Sequence, residues 1–483
     1  MGINYKSKAI EYLEKTNPNN EERYIRHLNG NFYIRENNVW NLKEYSVVID
    51  EIAQFSMENS EFLEDCREFT IKNIAYALKS NCRCPNQEPN TFFGETKNSN
   101  MFYIPLKNII LKFTLLNTEE KVQIEQLNHS SDFFNTYILP YDYQPGASAP
   151  KFNSFIDSIQ SEDIKKVILE WLGLNLTPVM LSQKFLIYYG MGANGKGILT
   201  NIQRDLCGES NCSSLSLEEI CGTDKFKKAE LENKTSNITD EIEDIKTSRA
   251  STLKKIVGGG SLMVERKYQR PYSANFFCKF TFSSNVLIRF KDPSNAIFRR
   301  LIIIPFDRQF LNEKDQNKEL LKSEYWQEEL SGIFNLAMEG LIRLIKNNWV
   351  FTHSKKIQDI LEKYITATSP EISFLQDYVE ASDPNSEIIK IELYQAYQRY
   401  CQLVGARFAT EEQFAIQVKK VFPGAEGTNP LSRKGGRFRC WQGIRFIANE
   451  KALDTNSAQV THAELEIAPL SIFEREEDFC AEE

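Results

Sequence analysis

The stretch 185–202, FLIYYGMGANGKGILTNI, constrains the fold of this chain more than any other. It begins with a continuous apolar run, which predicts a buried central strand, and ends in an amphipathic pattern, which predicts a helix. Between them, the residues from Gly190 to Lys196 match G-x-x-x-x-G-K. Glycines at these positions let successive backbone N–H groups turn around phosphate oxygens, and the lysine supplies a positive charge. The sequence therefore predicts a phosphate-binding loop in an α/β domain.

The residues expected to contact a nucleotide all lie in this loop and the first turn of the helix: Gly190, Gly192, Ala193, Asn194, Gly195, Lys196, Gly197 and Ile198. Gly197 is unusual, because a serine or threonine normally follows the lysine and its hydroxyl contacts Mg²⁺. Since Mg²⁺ keeps several water ligands in protein sites, a water molecule can fill this position. We therefore expect ATP with Mg²⁺ as the cofactor. A glycine turn with a surface lysine is the alternative.

Two adjacent acids follow a short extended stretch in TSNITDEIED. An enzyme with a phosphate loop needs one carboxylate to hold Mg²⁺, often through water, and a second to deprotonate the attacking water. We assign the metal contact to Asp240 and the base to Glu241, with Glu243 as the alternative base. Because the preceding segment is more polar than is usual for a buried strand, an exposed acidic turn is the competing interpretation.

Two further polar positions border predicted strands. CKFTFSSNVLIRF alternates into a strand that ends at Asn285, whose side chain is expected to sense the γ-phosphate. In NAIFRRLIIIPF, Arg299 and Arg300 precede a strongly apolar strand, where an arginine can reach the γ-phosphate of a neighbouring subunit. Taken singly, these would be a strand-end asparagine and a solubilising pair. In this order they reinforce one another.

A basic hairpin is predicted between the acids and Asn285. LKKIVGGGSLMVERKYQRPY combines a triple glycine with alternating residues and the cluster ERKYQR. Arg266, Lys267 and Tyr268 place cations beside an aromatic ring, which suits phosphate contact and base stacking. An ordinary solvated hairpin is the alternative for this segment taken alone.

The C-terminal region predicts a second basic element. Two helix faces are expected, made by Leu393, Tyr397, Tyr400 and Val404 and by Phe414, Val418 and Val421. LSRKGGRFRCWQGIRFI then predicts two strands around a turn at Gly435-Gly436. Two helices followed by a basic hairpin predict a winged helix. Its expected DNA contacts are Arg433, Lys434, Arg437 and Arg439.

The net charge of −8 belongs to the end of the chain. Residues 448–483 hold ten acidic residues against two basic ones, so this segment alone carries −8. Residues 1–447 balance at 56 acidic and 56 basic residues. We interpret the segment as a solvated acidic tail. The body of the protein can therefore still present basic surfaces to nucleic acid.

Several classes of protein are disfavoured by composition. The chain has no run of about 18 apolar residues, and its start lacks an apolar signal core, so we expect a cytoplasmic protein without membrane contact. The ten cysteines are scattered and are expected to be reduced thiols. The four histidines lie far apart and do not indicate a histidine-bound catalytic metal.

The patterning divides the chain into a mixed α/β N-terminal region, an ATPase core, a winged helix and the acidic tail: 1–150, 151–355, 356–447 and 448–483. Within the first, 31–42 predicts a hairpin and 66–81 an amphipathic helix. The three prolines of 138–152 predict a linker into the next domain. A helix is expected to begin at Ser161 as its N-cap.

The motifs GMGANGKG, TDEIED, KKIVGGGSLMVERKY, FTFSSN and AIFRRLIIIPF, in this order and spacing, resemble the superfamily 3 helicases. The resemblance is specifically to the helicase part of the phage, plasmid and poxvirus-type primase–helicases, and it covers roughly residues 90–447. Besides Gly197, the chain departs from the family at Gly260, where an aspartate is common.

This resemblance implies an AAA+-like P-loop ATPase core, with an α-rich N-terminal domain and a C-terminal winged-helix domain. It also implies a hexameric ring that moves 3′-to-5′ along single-stranded DNA. Lys196, Asp240, Glu241 and Asn285 would act within one subunit. Arg299 or Arg300 would act from the neighbouring subunit, and Lys267 would lie in the central channel.

The expected function is therefore an ATP-dependent DNA helicase of a virus or mobile element, acting on single-stranded and forked DNA during replication. No convincing D-x-D metal pair occurs in residues 1–150, so we expect primase activity to belong to a separate primase or polymerase partner. The alternative is an ATP-gated, DNA-binding initiator or scaffold without strong unwinding. A small-molecule kinase is disfavoured, because the basic hairpin, arginine pair and winged helix would have no role.

Overall fold

A computed structural model describes residues 3–17, 24–28, 31–63, 67–84, 88–95, 98, 100–118, 121–240, 250–266, 271–286, 295–310, 317–404, 406, 408–427, 431–433 and 436–447. For residues 295, 366–368, 431–433 and 436–437 it describes the backbone alone. Glu241, Glu243, Lys267, Tyr268 and Lys434 lie outside these ranges, as does the acidic tail.

The N-terminal region combines helices with two antiparallel sheets. Its elements are α1 (Tyr5–Thr16), β1 (Ile25–Leu28), β2 (Asn31–Glu36), β3 (Val39–Lys43), α2 (Tyr45–Glu58), α3 (Glu68–Asn81), β4 (Met101–Pro105), β5 (Ile110–Leu115) and β6 (Val122–Leu127). The sheets have the strand orders β1-β2-β3 and β4-β5-β6. The expectation of an α-rich N-terminal domain is thus corrected to a mixed α/β one, because short alternating runs pair as hairpins.

Both local predictions for this region are confirmed. β2 and β3 pair around Asn37 and Asn38, which have φ values of 50° and 65°. Asparagine tolerates this left-handed conformation, which gives a two-residue hairpin its twist. α3 covers the helix predicted within 66–81 and buries Ile71, Ile74 and Leu78 at helical spacing.

Residues 138–152 were predicted to be a linker, but this is wrong, because the segment packs into the core. Leu139 and Tyr141 are buried in the largest core cluster, together with Phe102 and Phe113 of the second sheet. The Tyr141 hydroxyl donates to the carbonyl of Leu206 at 2.8 Å. Aromatic residues between the prolines supply apolar surface, and this surface attaches the segment to the core.

The central region is built around one parallel sheet. Its elements are α4 (Pro150–Ile159), α5 (Glu162–Asn175), β7 (Phe185–Tyr189), α6 (Lys196–Cys207), β8 (Cys212–Ser213), α7 (Leu217–Cys221), α8 (Lys225–Lys228), β9 (Ser236–Thr239), α9 (Ser251–Val257), β10 (Leu262–Val264), β11 (Tyr272–Ala274), β12 (Lys279–Ser284), α10 (Asn295–Phe298), β13 (Leu301–Pro305), α11 (Ser323–Gln327) and α12 (Leu330–Lys346). Ser161 is the N-cap of α5, as predicted.

The five-stranded sheet has the order β13-β7-β12-β9-β8, and its neighbouring strands are parallel. Every residue of β7 is buried, because alternate side chains enter cores on the two faces of the sheet. Parallel strands end at a common edge, so the residues that follow β7, β9 and β12 are neighbours there. These residues are Gly190, Asp240 and Asn285.

A pair of helices covers one face of the sheet. α5 packs closely against α12, where a side chain at Gly173 would collide with the backbone of Ala337. The indole N–H of Trp171 on α5 donates to the hydroxyl of Thr281 on β12 at 2.8 Å. This buried hydrogen bond fixes the helix layer to the strand that leads to Asn285.

The C-terminal region is a compact helical unit with short strands. Its elements are α13 (Lys355–Thr368), α14 (Pro370–Tyr378), β14 (Val379–Ala381), β15 (Glu387–Ile389), α15 (Lys390–Leu403), α16 (Glu411–Val421), β16 (Glu426–Gly427), β17 (Leu431–Arg433), β18 (Gly436–Phe438), β19 (Cys440–Gln442) and β20 (Ile444–Phe446). The rings of Tyr397 and Phe414 stack with centroids 4.4 Å apart, so both predicted helices meet. Val404 is 40% exposed and lies beyond α15, so its predicted place on the buried face is wrong.

Within the described ranges, no helix is both long enough and apolar enough to cross a membrane.

Candidate nucleotide-binding site

The predicted loop connects β7 to α6 at the carboxyl edge of the sheet. Gly190 has a φ of +155°, and a side chain there would collide with the carbonyl oxygen of Phe306. Gly195 has a φ of +92° and directly precedes α6. Both positions require glycine for steric reasons, and α6 directs its N-terminus toward the loop.

The loop is fastened to the chain that follows β13. The side-chain amide of Asn194 donates to the carbonyl of Phe306 at 3.1 Å and also to that of Met191. The backbone N–H of Phe310 donates to the carbonyl of Ala193 at 2.7 Å. The loop is therefore preorganised by contacts from a neighbouring strand end, and Asn194 serves as a structural residue of the loop.

Lys196 is the central cation of the site and is 5% exposed. Its ammonium group donates to the side-chain oxygen of Asn285 at 3.0 Å and to the carbonyl of Met191 at 3.3 Å. It also donates to the carbonyl of Gly190. The structure thus brings together two residues that lie 89 positions apart in the sequence. A phosphate oxygen above the loop would compete with these carbonyls for the ammonium hydrogens.

Gly197 leaves open the space where a side chain would project. A Cβ atom at this position would meet nothing within 4 Å, and the same is true of Gly192. The nearby hydroxyl of Thr200 donates to the carbonyl of Gly197 at 3.0 Å, which directs it back into α6. The hydroxyl of Thr200 therefore does not replace the hydroxyl that is missing at position 197. The predicted contact of Ile198 remains a prediction.

Asp240 follows β9 at the same edge and is 48% exposed at its side chain. Arg204 of α6 lies 3.5 Å from its carboxylate and donates to the carbonyl of Ile238 at 3.3 Å. Arg204 was not among the predicted site residues, although its position two turns after Lys196 on the same helix was a usable signal. A carboxylate with open access suits Mg²⁺, which prefers oxygen ligands, but the guanidinium competes electrostatically with the metal.

Arg299 and Arg300 lie at the opposite edge of the sheet. They precede β13, which is paired in parallel with β7, so they are level with the amino end of β7. The five residues of β7 separate the two edges by about 16 Å. The Arg299 side chain is exposed, whereas Arg300 donates to the carbonyl of Ala296 at 2.7 Å. Neither arginine is placed beside the glycine loop of its own chain.

Cations crowd this amino edge. The ammonium of Lys184 donates to the carbonyl of Arg299 at 2.5 Å. Burial, and after it the charge of Arg300, lowers the pKa of Lys184. Burial, and after it the charge of Arg299, lowers the pKa of Arg300. Since both shifts disfavour the charged forms, a bound anion would relieve the repulsion at this edge.

The two strands of the predicted basic hairpin form, and an ion pair joins their ends next to residues 267–270, which lie outside the described residues. β10 and β11 are antiparallel on either side of residues 267–270. Arg266 lies 2.6 Å from the carboxylate of Glu232 and donates to the hydroxyl of Tyr272 at 2.8 Å. Tyr272 also donates to Glu232 at 2.6 Å. Burial, followed by this hydrogen bond, raises the pKa of Tyr272 to about 12.

This ion pair at the loop end of the hairpin strands also joins distant regions. Glu232 lies just before β9, the strand that leads to Asp240, and Tyr33 of β2 packs near it. Arg266 therefore has an intramolecular role, while its predicted DNA contact remains a prediction. Glu232 was not predicted as a partner of Arg266, because an isolated acid 34 residues earlier in the sequence belongs to no motif.

The C-terminal hairpin is formed by β17 and β18, which contain Arg433 and Arg437. Arg439 follows with an exposed side chain. Its carbonyl accepts from the backbone N–H of Lys390, whose ammonium lies 4.2 Å from the ring centre of Trp441. Burial, followed by the charges of Arg439 and Lys419, lowers the pKa of Lys390. Lys390 and Lys419 thus extend the predicted basic surface. Because both lysines are distant from Arg439 in the sequence, they were not predicted as part of it.

Residues 188–300, which include the glycine loop, Asp240, Asn285 and both arginines, match a family described only as being of unknown function (DUF5906). Structures of the NrS-1 C-terminal region are similar to this chain over most of its length. The A-form apo structure is 15% identical, with a TM-score of 0.48, and the match covers 86% of this chain and 94% of that one.

Two more apo structures, of NrS-1 residues 305–718, give comparable values. The first is 16% identical, with a TM-score of 0.48 and coverage of 87% of this chain and 95% of that chain. The second, an A form, is 15% identical, with a TM-score of 0.46 and coverage of 91% and 99%. These matches assign no activity to the present chain.

Proposed function

We propose that this chain is an ATP-dependent DNA helicase of a virus or mobile element, which works as a ring-forming motor during replication. The observation that carries the proposal is the separation of two cationic sites by the central sheet. Lys196 and Asn285 lie at the carboxyl edge, and Arg299 lies at the amino edge. A site that needs both sets of charges is completed by a second subunit, with its amino edge facing the first subunit's loop.

The strand order supports an AAA+-like core. The strand before the glycine loop lies between the strand after the arginines and the strand that ends at Asn285. The strand that ends at Asp240 comes next. This order puts a phosphate loop, a sensor amide and a metal-binding carboxylate side by side, which is the arrangement that the family resemblance implies.

The residues present fit ATP with Mg²⁺. The cofactor would supply the γ-phosphoryl group that is transferred to water. Lys196 would neutralise phosphate charge, and Asn285 would orient the ammonium group through their 3.0 Å hydrogen bond. Asp240 would hold the metal, and Glu241 would take the proton of the attacking water. Arg299 of the adjoining subunit would stabilise charge that develops during transfer.

The DNA contacts of the proposed motor are the two basic elements. The loop end of the hairpin strands, at Arg266 and Tyr272, is attached through Glu232 to the segment that leads into β9. Because Glu232 precedes β9, this attachment lies toward the amino edge of the sheet, and β9 itself would carry nucleotide-dependent movement from Asp240 at the carboxyl edge to the hairpin. The C-terminal unit, with Arg439, would act as a winged helix on the duplex. A separate primase or polymerase is the proposed partner.

A strand-separation assay on forked DNA tests this function. We expect the full chain with ATP and Mg²⁺ to release the labelled strand, and Lys196→Ala to release none. A 3′ single-stranded tail should support unwinding, whereas a 5′ tail alone should not. Unwinding that is unchanged by Lys196→Ala would refute the proposed role of the loop.

A second candidate is an ATP-gated initiator or scaffold. Two observations favour slow hydrolysis: Gly197 lacks the hydroxyl that contacts Mg²⁺, and Arg204 lies 3.5 Å from the Asp240 carboxylate. Both would weaken Mg²⁺ binding at the site. Salt-sensitive duplex binding that requires ATP but produces no strand separation would favour this candidate over the motor.

A further inference from the structure

The helix α3 exposes two aromatic rings on the side opposite its buried face. Ile71, Ile74 and Leu78 pack into the N-terminal core, whereas Phe69 is 73% exposed and Tyr76 is 66% exposed. Seven residues are close to two helical turns, so these rings lie in line, about 10.5 Å apart along the helix axis. Two large exposed rings in one row form a surface that the core does not explain.

Cations flank this aromatic row. Lys72 and Lys79 each follow an aromatic residue by three positions, which places them along one side of the row. Arg67 and Arg83 are exposed just beyond the two ends of the helix. Glu68 is the only acidic residue within α3. Within α3, two lysines therefore outnumber the one acid, so cations accompany the aromatic rings.

The one acid on the helix does not cancel this charge. Glu68 pairs with Lys72 at 2.5 Å in an i,i+4 arrangement, with side chains that are 78% and 56% exposed. Exposed pairs of this type are weak and are screened by salt, so a phosphate group can exchange with the carboxylate. Tyr45 of α2 also lies near Lys72 and Tyr76, since both groups act on its pKa, which burial raises.

We propose that the exposed face of α3 binds single-stranded nucleic acid. Bases stack on Phe69 and Tyr76, and backbone phosphates contact Lys72 and Lys79. Unpaired strands offer both the base faces and the phosphates that this combination recognises, whereas a duplex hides its base faces. An apolar protein partner would use the rings but would leave the cations without a role. The contact requires no nucleotide hydrolysis, so it stands apart from the proposed motor.

The test measures binding of a fluorescent dT20 oligonucleotide to the full chain by anisotropy, without nucleotide, over a series of salt concentrations. The double variant Phe69→Ala, Tyr76→Ala should bind roughly 30-fold more weakly, as expected for the loss of two stacked bases. Lys79→Ala should reduce the slope of log affinity against log salt by about 0.7, the value for one phosphate on a single strand. The matched control is Met57→Ala on α2, an apolar side chain that is 71% exposed and should leave binding unchanged.

A site-specific readout separates this surface from other DNA contacts. An oligonucleotide that carries 5-iodouracil should crosslink under ultraviolet light to the peptide that contains Phe69 and Tyr76. Thermal unfolding by circular dichroism should give the same Tm for the double variant and the wild type, because both side chains are exposed.

The outcomes are distinguishable. Wild-type affinity in the double variant, together with no crosslink on α3, would overturn this inference and leave the motor untouched if forked DNA is still unwound. Unchanged affinity combined with altered sedimentation would make the face a contact between protein chains, which also overturns it. A Lys196→Ala chain that no longer unwinds DNA but keeps the α3 crosslink would support the surface independently.

Discussion

The two edges of the central sheet carry positive charge in different ways. At the carboxyl edge, Lys196 is buried and its ammonium is shared between Asn285 and loop carbonyls. At the amino edge, Arg299 is exposed, and the pKa values of Lys184 and Arg300 are lowered by burial and by nearby cations. The ammonium of Lys196 is thus oriented by oxygen acceptors, whereas the cations of the amino edge repel one another.

This difference suits the two edges to different roles with a bound anion. A preorganised loop can bind a triphosphate within one chain, because its donors are already oriented. A crowded cationic edge gains most when an anion approaches from outside, since the anion relieves the repulsion. In the proposed motor, the carboxyl edge would therefore bind the nucleotide, and the amino edge of the adjoining copy would assist hydrolysis.

The largest effects are expected from one substitution at each edge of the sheet. Lys196→Ala should abolish ATP hydrolysis and also weaken ATP binding, because it removes the cation at the phosphates. Arg299→Ala should lower hydrolysis by about 10³-fold or more while ATP binding is retained. Steady-state hydrolysis and isothermal titration calorimetry measure the two quantities.

The matched control for this pair is Lys166→Ala, which removes a partly exposed lysine of α5 whose ammonium pairs with Glu162 of the same helix. It should leave hydrolysis and binding at wild-type levels. If Arg299→Ala weakened ATP binding as much as Lys196→Ala does, the proposed division between the edges would be wrong.

A smaller effect is expected at the ion pair between Glu232 and Arg266 of the hairpin. Glu232→Gln removes the charge that pairs with Arg266 and should destabilise this end of the hairpin by about 1–2 kcal/mol, since the pair is mostly buried. DNA-stimulated hydrolysis should fall severalfold, while hydrolysis without DNA stays unchanged. Glu230→Gln, an exposed neighbour, serves as the control. An equal loss with and without DNA would argue against a link between hairpin and carboxyl edge.

The smallest effect is expected at Gly197. Gly197→Ser fits the open space beside α6 and restores a hydroxyl, so half-saturation by Mg²⁺ should occur at roughly fivefold lower concentration, the equivalent of about 1 kcal/mol. Gly197→Ala provides the control, because it adds the Cβ atom and helix propensity without the hydroxyl. Identical Mg²⁺ curves for the two variants would show that the missing hydroxyl does not limit the site.

The sequence predicted the parts of the site that depend on local order. The strand, loop and helix around Lys196 form as expected, and the strand before Asn285 ends where predicted. Local patterns succeed here because glycine geometry and apolar periodicity are properties of adjacent residues. The same reasoning found the β10–β11 hairpin and both helices of the C-terminal unit.

Contacts between distant segments were not predictable in this way. The pairs Arg204–Asp240 and Glu232–Arg266 join single charges that belong to no motif. Lys279 is fully buried in β12, and burial lowers its pKa to about 7, although its place in an alternating run suggested no such environment. The prolines of 138–152 suggested a linker, but tertiary packing of the aromatic residues between them prevailed.

The most direct test of the central claim is a mixture of two inactive chains. Lys196→Ala lacks the loop cation but keeps Arg299, and Arg299→Ala has the opposite defect. If the site lies between copies, ATP hydrolysis should reappear on mixing, because in a random one-to-one ring roughly a quarter of the seams pair an intact loop with an intact arginine. A mixture no more active than the average of its two components would contradict the account.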